Sequence, residues 1–221
     1  MTQLTGGRTL RSVGSPDTFR PMKKTAPTDH PVHALIADRW SPYGFSDRPI
    51  PPAELRSILE AARWAPSSYN DQPWIYLLAT KADAEQHGVL VSCLVEGNRG
   101  WATTAPVLLL GLTRRISARN GEPNAACEHD LGLASANLSL EATSRGISVH
   151  QMSGILRDRI REVFSLPDDI TPVTALALGY CAAHGDVPEN LVDRHTRPRE
   201  RRALASFIFT GGLDQPAPLE D

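Results

Sequence analysis

Residues 65–74, Ala-Pro-Ser-Ser-Tyr-Asn-Asp-Gln-Pro-Trp, concentrate hydroxyl and carboxamide side chains in one short stretch between two apolar segments. Asn70 and Gln72 each offer a donor and an acceptor, and Ser67 and Ser68 add hydroxyls. That set suits a flat heteroaromatic edge on which carbonyl oxygens alternate with an N–H, as in a flavin. A bare phosphate or a metal ion would need other residues. Two further groups have phosphate chemistry: Arg39 with Ser41, and Arg199 with Arg201 near the C-terminus. Guanidinium forks match phosphate oxygens in bidentate geometry. Taken alone, Ser67, Ser68 and Asn70 would also suit a helix-terminating turn, and Arg39 a solvated helix end. A turn by itself does not require Gln72-Pro73-Trp74 to follow.

These residues must be positioned by the elements around them. His33 to Trp40 is expected to be a helix that Pro42 stops. Ala53 to Trp64 is expected to be a second, with Leu55, Ile58, Leu59 and Ala62 at helical spacing, Pro51-Pro52 before it and Pro66 after it. Ile75 to Leu78 reads as a buried strand, Asp83 to Val95 as a helix and Pro106 to Leu112 as an apolar strand. Asn98 reads as a loop residue shortly before Gly100. Ala126 to Arg145 is the longest helical stretch; it is apolar around most of its girth and so expected to be buried, with Gly146 placed to end it. Ile147 to His150 alternates like a strand, Leu156 to Phe164 is a short helix, and Val173 to Tyr180 alternates again. Helices and strands without a regular βαβ rhythm indicate an α+β fold.

Composition excludes several classes. At 221 residues the chain has room for one sizeable core, and residues 29–221 are expected to form a single domain. Residues 1–28 lack any apolar period and the apolar centre of a signal peptide; they are expected to be a disordered tail, within which Met22 is a plausible translation start. A formal charge of −2 gives no overall drive toward nucleic acid or acidic membranes. No apolar run approaches the ~20 residues of a membrane helix. The odd, widely spaced Cys93, Cys127 and Cys181 argue against a disulfide framework and for a reducing, cytoplasmic setting. The basic stretch from Arg194 to Arg202 has no interleaved aromatics, as a nucleic-acid patch would. No G-x-G-x-x-G, G-x-S-x-G or C-x-x-C motif is present. His129, between Glu128 and Asp130, is better read as an interface or core residue than as a metal ligand.

Pro66-Ser67-Ser68-x-Asn70-x-Gln72-Pro73-Trp74 resembles the cofactor loop of the FMN-dependent nitroreductase family. Further matches follow in the order that family requires. Arg39-Trp40-Ser41-Pro42-Tyr43 resembles its opening Arg-x-Ser segment. Asn98-Arg99-Gly100-Trp101 with Ala105-Pro106-Val107 resembles its middle, and His129-Asp130-Leu131-Gly132 with Asn137-Leu138 its central helix. Val149 to Gly154 and Arg199-Glu200-Arg201-Arg202 complete the pattern, from roughly residue 30 onward.

The resemblance implies a central mixed or antiparallel sheet flanked by helices, in an intertwined homodimer with FMN bound between subunits and the C-terminal segment reaching onto the partner. It implies FMN contacts at Arg39, Trp40, Ser41, Tyr43, Pro66, Ser67, Ser68, Asn70, Gln72, Asn98, Met152, Ser153, Gly154, Arg199 and Arg201. It also implies ping-pong reduction by NADH or NADPH of a small electron-poor acceptor: a nitroaromatic, a quinone, or an activated alkene or aldehyde. The flavin carries the chemistry, so no catalytic side chain is required. Other members dehalogenate, oxidise azoline rings or fragment the flavin, and a flavin store or sensor without turnover is a further alternative. One departure stands out. Tyr43, and similarly Trp101, occupy places where relatives carry cations that would stabilise a reduced flavin; either charge is missing here, or both aromatics stack on the ring or substrate.

Overall fold

The computed structural model describes residues 24–183 and 187–219. A four-stranded antiparallel sheet, in the order β1-β2-β4-β3, organises the chain. Its strands are β1 (Trp74–Thr80), β2 (Val107–Arg114), β3 (Ser148–Met152) and β4 (Ile170–Gly179). Around it lie α1 (Ala34–Asp38), α2 (Pro52–Arg63), α3 (Ala84–Ser92), α4 (Glu96–Ala102), α5 (Cys127–Ser144), α6 (Arg157–Val163) and α7 (Val192–Thr196). This is the α+β arrangement expected.

The two faces of the sheet bury separate cores, as the period of two along a strand dictates. On β2, Leu108, Leu110 and Leu112 join Leu90, Leu94, Trp101 and Ile160 on one face. Val107 and Leu109 join Ile58, Ala62, Ala134 and Leu138 of α2 and α5 on the other. A register shift between Gly111 and Leu112 accommodates Pro172 on β4, which has no N–H to give to the ladder. Pro52 opens α2 at a position where its missing N–H costs nothing. Gly146, at φ 69, follows α5 and turns the chain into β3.

Several expectations are corrected. The first helix is only Ala34–Asp38, because the chain is already extended at Arg39. β1 is an edge strand with Leu78 exposed, not a buried one. α5 is buried along one side only; Glu128, His129, Gly132 and Ala136 are exposed on the other. Residues 1–23, including Met22, lie outside the described residues. Lys24 to Ala26, assigned from sequence to a disordered tail, are held in place: Ala26 N–H donates to Ala37 O at 2.8 Å, Thr25 Oγ1 to Asp38 at 2.6 Å and Lys24 Nζ to His195 O at 2.6 Å.

Candidate functional site

Basic side chains from opposite ends of the chain meet beside α1. Arg39 donates to Ser41 Oγ at 3.3 Å. Arg199 donates to Lys24 O at 2.9 Å and also to Ala37 O, which locks the C-terminal segment onto α1. Burial, and then the charges of Arg199 and Arg201, hold the Arg39 guanidinium below its usual range. Arg199 is lowered by burial and by Arg201, with only Asp38 acting the other way. Among the described residues no ion pair joins Arg39, Arg199 or Arg201 to a carboxylate. Three guanidinium groups gathered with only Asp38 to offset them favour an anion beside them. Beside them opens a groove of ≈ 970 Å³ whose walls include Arg199, Arg201, Val32, Ile36, Leu204 and Phe207.

From this cluster a second surface runs along β3. Tyr43 N–H donates to His195 Nδ1 at 3.2 Å, and its ring meets Trp101 and His150 edge-on, with centroids 5.4 and 4.8 Å away. His150 Nδ1 donates to Pro42 O at 2.7 Å, and burial pushes the imidazole pKa down; the neutral ring therefore carries its proton on Nδ1. Trp101 is 1 % exposed and its buried Nε1–H has no hydrogen-bond partner. Asn98, on α4 and not in a loop, donates to Gly154 O at 3.1 Å, as does the Val95 N–H. A Cβ at Gly154 would lie 2.5 Å from Asn98 Nδ2, so any larger residue would have to displace the Asn98 side chain from this contact. Ser153 is exposed, whereas Met152 is in the core. Trp40 is also buried, edge-on to His195. The side chains of Trp40, Met152 and Trp101 thus pack inside the protein, and Trp101 does not stack on a ligand as one alternative required.

The amide loop is a separate construction. Ser68 to Asn70 form a single 3₁₀ turn, and Tyr69, Asn70 and Gln72 all have positive φ, at 52°, 57° and 49°. A left-handed residue other than glycine costs roughly 1–2 kcal/mol, so the loop needs anchors. Ser67 Oγ accepts the Gln72 N–H at 3.1 Å and Asp130, buried on α5, accepts the Ser68 N–H at 3.1 Å. Asp71 accepts from Ser117 Oγ, the Ala118 N–H and Asn124 Nδ2 at 3.0, 3.1 and 2.7 Å. Gln72 Nε2 folds back on Asn70 O at 3.0 Å, while Pro66, Asn70 and Gln72 stand exposed. Asp71 and Asp130 both lie inside motifs quoted from the sequence, but neither had an anchoring role there.

Within one chain these groups do not meet. The amide loop enters β1 at Trp74, whereas the segment after Arg39 is pinned at the far end of the sheet, where Phe45 bridges Cys181 and Lys81 pairs with Asp47 at 2.7 Å. The seven residues of β1 alone separate those ends by about 20 Å.

The sequence model of the Nitroreductase family matches residues 36–90 and 80–180, most of the chain. This protein belongs to the nitroreductase family. The uncharacterized 15.4 kDa protein in the ask 5′ region of Mycolicibacterium smegmatis is 35% identical over 142 residues, 62% of this chain and 92% of that protein. The crystal structure of an oxidoreductase containing FMN is 37% identical, with a TM-score of 0.80 over 86% of this chain and 96% of that one. A nitroreductase family protein from Streptococcus pneumoniae TIGR4, at 22% identity and a TM-score of 0.62 over 80% of this chain and 98% of that one, shares the fold. Among the described residues no helix is long and apolar enough to cross a membrane.

Proposed function

We propose that this nitroreductase-family chain is a cytoplasmic FMN-dependent NAD(P)H oxidoreductase, acting as a homodimer with FMN held between subunits. The observation that carries the reading is the separation of two complementary half-sites. One end of a chain offers Arg39, Arg199 and Arg201, none ion-paired to a carboxylate among the described residues; the other offers the exposed amides of Asn70 and Gln72. A phosphate-bearing flavin needs both, and a second copy of the chain can supply the half that the first lacks. The exposed Phe207, Ile208, Phe209 and Leu213 supply apolar surface for that partner.

The residues present fit the group. The arginines and Ser41 would take the phosphate, and Asn70 and Gln72 would bond the polar edge of the ring, with Ser67 and Ser68 shaping their loop. When bound, FMN would accept hydride from NADH or NADPH and return it to an electron-poor acceptor such as a nitroaromatic, a quinone, or an activated alkene or aldehyde. The protein's part is to bind and orient each substrate in turn, which predicts ping-pong kinetics with parallel double-reciprocal lines.

The test is the visible spectrum of the purified protein before and after NADH or NADPH is added without oxygen. Flavin bands that bleach support the reading and identify the donor. Bands that persist point instead to a flavin store or sensor, or to specialised flavin chemistry. A colourless protein that takes up no added FMN overturns it.

A further inference from the structure

Between β2 and α5 the chain forms a small hairpin closed by a bridge between Ile116 and Pro123. Ser117 N–H donates to Glu122 O at 2.8 Å and Gly121 N–H to Ser117 O at 2.9 Å, with Gly121 at φ 76. Asp71 fastens this hairpin to the amide loop by the three hydrogen bonds already described, so its carboxylate is fully engaged. At the tip, the Arg119 guanidinium lies over the Tyr69 ring, 4.4 Å from its centroid. The neighbouring arginines are neutralised, Arg114 by Asp169 and Arg115 by Glu128 at 3.3 Å. Arg119 has no carboxylate partner among the described residues. Tyr69 is 80% exposed, and Arg119 covers one face of its ring. A cavity of ≈ 260 Å³ opens here, with Tyr69, Asp71, Ser117, Arg119, Asn120 and Asn124 on its walls; the one carboxylate among its lining residues, Asp71, is the hydrogen-bonded anchor.

We propose that Arg119, held on Tyr69 by this hairpin, binds a carboxylate or phosphate carried by a molecule that exchanges electrons at the site, and so selects anionic substrates. The inference rests on the flavin reading above, since Ser68, Tyr69 and Asp71 belong to the amide loop. Stacking uses the face of the guanidinium and leaves its N–H edge open for a bidentate oxyanion. The Asp71 anchors order the hairpin before binding, which lowers the entropy cost of capture. A cavity this size fits one charged fragment, not a whole dinucleotide. That fragment is either the extra phosphate of NADPH or an acidic group on the acceptor.

The experiment compares FMN-loaded wild type with Arg119→Ala and Arg119→Lys. One arm measures KM for NADPH against NADH. Another measures KM for 4-nitrobenzoate against 4-nitrobenzamide. A third titrates the oxidised enzyme with benzoate and with benzamide, following the flavin absorbance. The alanine variant is expected to raise the anionic-to-neutral ratio at least tenfold in one arm, and lysine, a point charge without the fork, to recover part of it. A change confined to the dinucleotides identifies the donor phosphate; a change confined to the benzoates identifies an acidic acceptor. Ratios within twofold of wild type in every arm, in an enzyme that still bleaches with reductant, overturn the inference alone. Wild-type protein that binds no FMN overturns the flavin reading and this inference with it.

Discussion

At the Arg39 end of the sheet the chain gathers like charges, whereas at the Asn70 end it gathers left-handed backbone around two carboxylates. The first arrangement is electrostatically unfavourable by itself, because burial and mutual repulsion both act against the guanidinium charges. The second is conformationally unfavourable, and Asp71 and Asp130 compensate within the protein itself. A ligand would therefore relieve strain at one end and meet a preformed surface at the other. The two ends should fail in different ways when mutated.

The largest effect is expected from Arg199→Ala combined with Arg201→Ala. Loss of two charge-assisted contacts should weaken FMN binding by about 3 kcal/mol, on the order of a hundredfold in Kd, with a smaller fall in the urea midpoint of the apoprotein, since Arg199 also donates to Lys24 O and Ala37 O. Flavin fluorescence on release measures the first and circular dichroism the second. An unchanged Kd would remove the arginine cluster from the site.

Asp71→Ala should instead act on folding. Removing an anionic acceptor of three hydrogen bonds is expected to cost about 1.5–3 kcal/mol in urea denaturation, together with faster proteolysis in the hairpin of residues 116–123. A variant as stable as wild type would show that the loop does not depend on this anchor. Gly154→Ala tests the surface between the two ends: its Cβ would press on Asn98 Nδ2 at 2.5 Å and Val95 Cγ2 at 2.8 Å. An overpacking cost of about 1–3 kcal/mol is expected in thermal or urea unfolding.

The smallest effect concerns pH. His150 has a folded pKa below its ordinary 6.5, first because of burial and further because of Arg39. Above pH 6.5 it is neutral whether folded or unfolded. Below that, the unfolded chain takes up a proton that the folded protein resists, so stability falls as pH drops through the folded pKa. His150→Gln should make that decline shallower. His87, also lowered by burial, acts with the same sign and leaves a residual slope. An identical pH profile in the variant would mean that His150 is not desolvated.

Much of this was legible in the residues. The apolar run of β2, the stripe of α5 with Gly146 behind it, and the amide loop ended by Pro73 all follow from local periodicity and backbone chemistry. α4 was not, since Gly97 and Gly100 make Glu96–Ala102 read as a loop. What holds it helical is tertiary: Asn98 and Val95 bond Gly154, and Arg99 reaches Leu94 O at 2.8 Å and Ser92 O at 3.2 Å. Of the two alternatives open for Trp101, burial removes stacking on a ligand, because an aromatic next to polar residues in sequence can still be turned into the core.

Sequence by itself determined the family, the α+β class and the residue types a flavin would require, because those depend on side-chain chemistry and on the spacing of neighbours along the chain. Only the tertiary structure decided that the arginine cluster and the amide loop lie at opposite ends of one sheet. It alone brought Arg119 over Tyr69, turned Trp40 and Met152 inward, and seated Lys24 to Ala26 against α1. Those are relations between residues far apart in sequence, set by strand order and by which faces the two cores bury.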